Sequence, residues 1–169
     1  MLVEKYKSLA FTLALRITKN EEDAEEIAQD AFLKVYQGLS GFRNESKFTT
    51  WLYKIVFTTA MSRMRKKRPE TNPIDDKIGE DGNDNRVPDN LELMHQEERK
   101  KMVASAVSQL KEDEATAITL YYLAENTVHE ISEITGFSES NIKVLLFRGR
   151  KNLLEILKKI LKQEIADVL

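Results

Sequence analysis

Residues 129–154, HEISEITGFSESNIKVLLFRGRKNLL, restrict the C-terminal part of the chain to two short helices around a tight turn. Thr127, with Glu130 three residues on, spells a capping box ahead of the first helix. Gly136 supplies the permissive backbone of the turn, Phe137 fills the angle between the helices, and Ser138 caps the second one. In that second helix Ile142, Leu145, Leu146, Gly149, Leu153, Ile156 and Leu157 recur at three- and four-residue spacing as one buried stripe. Ser140, Val144, Phe147 and Lys151 face the other way, flanked by Asn141, Lys143 and Arg148. Amide, hydroxyl, apolar and cationic groups on one face suit the base edges and phosphates of a DNA major groove. An ordinary amphipathic hairpin with a solvated outer face produces the same pattern.

Nothing in the chain reads as strand alternation, so the fold class is all-α. Its 169 residues, 41% hydrophobic, are enough for one domain or two small ones. No apolar run approaches a bilayer span, and the N-terminus lacks a signal-peptide pattern, which predicts a cytoplasmic protein with no membrane insertion. There is no cysteine, and His95 and His129 stand outside any ligand-spaced cluster, so no metal or cofactor is expected. The net charge of −2 hides a segregation: residues 1–68 carry +5, residues 69–92 carry −6 and residues 93–169 carry −1. Pro69, Pro73 and Pro88 with Gly79 and Gly82 lie in the acidic middle stretch. That composition predicts a flexible linker over 69–92 joining two helical units, 1–68 and 93–169.

Three helices are predicted in the first unit. Tyr6, Leu9, Ala10, Leu13, Ala14 and Ile17 form the stripe of the first. Asn20 caps the second, with Glu21, Glu22 and Asp23 at the positive end of its dipole. Its stripe is Ala24, Ile27, Ala28, Ala31, Phe32, Val35 and Leu39, and its outer face holds Glu25, Glu26, Gln29, Asp30 and Lys34. After a loop FRNES, Ser46 is predicted to cap a third helix from Lys47 to about Arg68, with Phe48, Leu52, Ile55, Val56 and Thr59 inward. Arg63, Arg65, Lys66, Lys67 and Arg68 crowd its end beyond what capping needs, which points to phosphates. Phe48 and Trp51 beside the FRNES donors suit unstacked bases, although both also lie at the spacing of core residues.

These residues together resemble bacterial sigma factors of the sigma-70 family, specifically the small two-domain extracytoplasmic-function (ECF) type. Asp23-Ala-Glu-Glu-Ile-Ala-Gln-Asp-Ala-Phe32 is similar to the family's acidic helix that docks the RNA polymerase core, which implies polymerase contacts from Asp23, Glu26, Gln29 and Asp30. Phe42 through Arg68 resembles the element that melts and reads the −10 promoter region; the implied DNA contacts are Arg43, Asn44, Lys47, Phe48, Trp51, Thr58, Arg63, Arg65 and Lys66. Residues 112–154 resemble the domain that reads the −35 element, with Ser138, Ser140, Asn141, Lys143, Val144, Phe147, Arg148 and Lys151 facing DNA. Arg150 and Leu153 also stand at the family's places. The resemblance implies no catalytic activity, polymerase core and promoter DNA as partners, and an anti-sigma factor as a further one. Departures are Thr58 where asparagine is common, Ser62 for aspartate, Leu145 for arginine and Gly149 for alanine. The last predicts a recognition helix weakened by up to about 1 kcal/mol.

Two other readings remain open on sequence alone. One is a conventional helix-turn-helix regulator whose first unit senses a ligand or dimerises; the other is a degenerate sigma-like competitor for polymerase. An enzyme is disfavoured by the absence of a phosphate loop, a nucleophile with its base, or a metal cluster.

Overall fold

The computed structural model describes residues 2–67 and 96–168, and among these there are seven α-helices and no strand. The first three are α1 (Leu2–Thr18), α2 (Glu21–Gly38) and α3 (Phe48–Lys67). The stripe Ala10, Leu13, Ala14 and Ile17 of α1 is buried against Ala24, Ile27, Ala28, Ala31 and Val35 of α2. Between the two helices the chain reverses at Lys19, whose left-handed φ of 52° lets its N–H reach the Leu15 carbonyl at 2.8 Å. Asn20 caps α2 as the sequence predicts, its side chain accepting from the Asp23 N–H at 2.9 Å. A 3₁₀ turn, Leu39–Gly41, leads out of α2 and leaves Leu39 41% exposed rather than in the buried stripe, because the helix has already ended. Ser46 does not cap α3. Its hydroxyl leans on the Lys47 carbonyl at 3.5 Å, and the helix starts one residue later than predicted, at Phe48.

The second group comprises α4 (Gln96–Ser108), α5 (Glu112–Ile118), a π turn (Thr119–Leu123), α6 (Val128–Thr135) and α7 (Glu139–Val168). The capping box of α6 is formed on both sides: the Glu130 N–H donates to Thr127 Oγ1 and the Thr127 N–H to Glu130 Oε2. Gly136 ends α6 at φ 78°, and Ser138 Oγ accepts from the Asn141 N–H at 3.2 Å at the start of α7. Ile142 and Leu146 of α7 are buried, while its later turns pair with α4 through Met102, Ala106, Leu157 and Leu161.

The two groups share one continuous hydrophobic core. Helix α6 lies on α3 and α5 lies on α1. α3 is therefore buried on two sides. Leu52, Val56 and Thr59 face the first group as predicted, and Tyr53, Phe57 and Ala60 fill a second stripe that the sequence reading did not assign. Burial pushes the Tyr53 phenol up to about 12. Phe137 fills the angle of the hairpin and also meets Phe57 edge-on, with ring centroids 6.4 Å apart. Two polar contacts cross the same seam: Lys19 Nζ donates to the Leu110 carbonyl at 3.0 Å, and Lys47 pairs with Glu130 at 2.9 Å. The predicted linker, 69–92, lies outside the described residues. No helix among the described residues is long and apolar enough to cross a membrane.

Candidate nucleic-acid interface

Helix α7 presents the face predicted for it. Ser138, Ser140, Asn141, Lys143 and Phe147 are exposed, Phe147 to 54%, whereas Val144, Arg148 and Lys151 are half-buried. A 54% exposed phenylalanine has no role in the core, and an apolar contact beside amides and cations is what a thymine methyl asks for. The start of α7 is tied to α6 by His129 Nδ1 and Glu139 Oε1 at 3.0 Å. The Glu139 carboxylate, then that of Glu133, raises the His129 pKa above its ordinary value.

A second basic surface runs along α3. Lys54, Thr58, Ser62, Arg65 and Lys66 form an exposed strip on the side facing neither α2 nor α6. At its N-terminal end the loop before α3 exposes Arg43, Asn44 and Lys47, with Asn44 in the left-handed region at φ 55°. Phe48 and Trp51 are half-buried in a cluster with Tyr6 and Phe42. Trp51 stacks on Phe42 with centroids 4.9 Å apart, so one face of the indole is already covered. Gly38 makes room for that indole, since a Cβ there would lie 3.2 Å from Trp51 Cζ2.

The acidic face of α2 divides into two. Asp23 and Glu26 turn toward α3: Asp23 accepts from Lys67 at 2.6 Å and pairs with Arg63 at 3.5 Å, and Glu26 pairs with Arg63 as well. The hydrogen bond from Lys67 holds the Asp23 carboxyl below its ordinary value. Gln29 and Asp30 stay exposed. Beside Gln29 the helix carries Leu33, 60% exposed, and Tyr36, 82% exposed; with Val3, Phe11 and Phe32 these line an open groove of about 940 Å³ between α1 and α2. Neither Leu33 nor Tyr36 is among the site residues expected from the sequence. Their signal was available, because neither falls on the buried period of α2.

The comparisons with known proteins agree with this layout. Residues 2–70 match the Sigma-70 region 2 family and residues 100–153 match Sigma-70, region 4. The chain is 30% identical over 160 residues to the ECF RNA polymerase sigma factor SigW of Bacillus subtilis, covering 90% of this chain and 84% of that protein. With SigM of the same organism it shares 31% over 153 residues, 90% of each chain. Among solved structures, the sigma factor RpoE of Bartonella quintana, crystallised with the anti-sigma factor NepR, superposes with a TM-score of 0.66 at 20% identity, covering 93% of this chain and 96% of that one. The structure of CnrH with the cytosolic domain of CnrY gives a TM-score of 0.60 at 20% identity, covering 94% of this chain and 86% of that one. The chain belongs to the sigma-70 family, in its extracytoplasmic-function group.

Proposed function

We infer that the chain is a promoter-specificity subunit: it recruits RNA polymerase core, opens and reads a −10 element with the loop and exposed strip of α3, and holds a −35 element with α7. The carrying observation is that one chain has both family regions in order, each presenting a polar and cationic strip away from the core. Within this reading, Arg43, Asn44, Lys47, Thr58, Arg65 and Lys66 follow the −10 strand, while Phe48 and Trp51 support the loop from a packed cluster. Ser140, Asn141, Lys143 and Val144, in the first turns of α7, meet base edges; Phe147 adds an apolar contact, and Arg148 and Lys151 meet phosphate. Gln29 and Asp30, together with the newly assigned Leu33 and Tyr36, contact polymerase, and Asp23 and Glu26 fix α3 beside them. An anti-sigma partner belongs to the same reading, carried over from the complexes of the two structural neighbours, and the cytoplasm is where such a protein would act.

The seam gives this function a geometric requirement. The −35 and −10 elements lie on the order of 25 base pairs apart, about 85 Å at 3.4 Å per pair. Helix α7, the longest element among the described residues at 30 residues, spans only about 45 Å. Against that span a chain whose α6 stays seated on α3 is short, and on this reading the two groups separate on the promoter.

The test is transcription by core polymerase supplied with the purified chain and a promoter library. Starts from a defined subset of promoters are expected, and Gln29→Lys with Asp30→Lys should abolish them together with polymerase co-purification. Failure of the wild-type chain to bind core polymerase would overturn the reading.

A further inference from the structure

Arg16 is the least comfortable residue of the described structure. It lies in the last turn of α1 with only 9% of its surface exposed, its Nε has no hydrogen-bond partner, and no acidic side chain pairs with it among the described residues. Burial alone lowers its pKa. A buried, unpaired cation is expensive, and side chains of this kind normally turn to solvent or find a carboxylate. Arg16 instead lines a groove of about 810 Å³ whose other walls come from α4, α5, the π turn and α7. Thr119 lies on the same groove, and its Oγ1 is likewise buried without a partner. The remaining lining is mostly aliphatic, with Leu154 and Leu157 typical of it; Arg99, Lys100 and Arg150 add positive charge and no lining residue is acidic.

We propose that this groove binds a small amphiphilic carboxylate, with its apolar chain along α4 and α7 and its carboxylate on Arg16 beside Thr119. The volume and the mainly apolar lining with few polar groups are those of a small-molecule site. The Arg16 guanidinium supplies N–H donors for a carboxylate oxygen, beside the Thr119 hydroxyl on the same wall. A narrow acyl chain can run down the groove and bring its head group to the guanidinium of a residue that is nine-tenths covered, whereas a helix 10–12 Å across rests on the rim. Arg16 belongs to the first group of helices and the other walls to the second, so the bound ligand joins the two and favours the packed arrangement over the separated one. On the promoter-reading function proposed above, the ligand therefore lowers transcription; the binding itself does not depend on that reading.

The experiment is calorimetric titration of the full chain with decanoate, decanol and an acidic amphipathic helical peptide, below the concentration at which the amphiphiles aggregate. Decanoate is expected to bind one per chain and about tenfold or more tighter than decanol, the size of a charge-assisted contact. Arg16→Met should remove that preference, and Ala104→Trp, which fills the groove from α4 while leaving Arg16 in place, should abolish binding of both amphiphiles. Circular dichroism on each variant confirms the fold. Equal affinity for decanoate and decanol, a preference that survives both substitutions, or multiple loosely held molecules per chain would overturn the proposal. Binding of the peptide but not of decanoate would overturn it too, assigning the groove to a protein partner. Inhibition of transcription is scored separately, so that an inactive chain that still binds decanoate counts against the function and not against the site.

Discussion

Gly149 shows how a single residue changes meaning when its neighbours are known. As a helix-interior glycine it costs α7 up to about 1 kcal/mol of propensity relative to alanine. In the structure a Cβ at that position would lie 2.9 Å from Ile118 Cγ1 and 3.3 Å from its Cδ1, with Ile118 itself buried. The glycine lets α7 approach α5. Gly149→Ala is therefore expected to lower stability by about 1–2 kcal/mol, since overpacking of about 1–3 kcal/mol outweighs the propensity gain; urea denaturation of the full chain measures it. Arg16→Met should run the other way and raise the midpoint in the same assay by an equivalent of about 1 kcal/mol or more, because it removes a buried charge with no acidic partner among the described residues. The glycine was visible in the sequence and its purpose was not. The contact joins residues 31 positions apart, which no local period encodes.

At the scale of elements, the starts of α2, α6 and α7 and the inward stripes of α1, α2 and α7 were legible, since caps and three-to-four spacing are local signals. The two buried sides of α3 were not. Tyr53 and Phe57 interrupt the single-stripe pattern, and a helix covered by neighbours on two adjacent sides loses the contrast that marks an amphipathic one. Of the candidate site, the outward face of α7 was legible for the same local reason, whereas the pairing of Asp23 and Glu26 with Arg63 and Lys67 depends on how α2 and α3 cross. The His129–Glu139 pair carries a prediction of its own. Because the folded pKa of His129 is raised above 6.5, its contribution is fully present below that value and is lost as the pH rises through the raised one. Stability measured from pH 6 to 9 should fall less steeply in His129→Gln than in the wild-type chain. An identical slope in the two proteins would remove the pair from the account of how α6 holds α7.

For the whole molecule, the seam between α3 and α6 joins two family regions through one continuous core. Phe57, 6% exposed, touches Phe137 across it, and Phe57→Ala should cost about 3–5 kcal/mol and split a single calorimetric transition into two. A single transition of unchanged cooperativity would show that the seam contributes little.

The cations along α3 are not all waiting for phosphate. Lys47 is held by Glu130, and Arg63 and Lys67 are held by Asp23 and Glu26. A lysine that exchanges a carboxylate for a phosphate releases a counterion from DNA and then exposes an acid that recruits another, so its net release is small. Promoter affinity should thus respond to ionic strength less steeply than the number of basic residues implies. Neutralising the acids, as in Asp23→Asn with Glu26→Gln, should steepen the slope of log affinity against log salt. The acidic partners act as built-in ionic ballast, keeping promoter choice steady while the ion content of the surrounding solution changes.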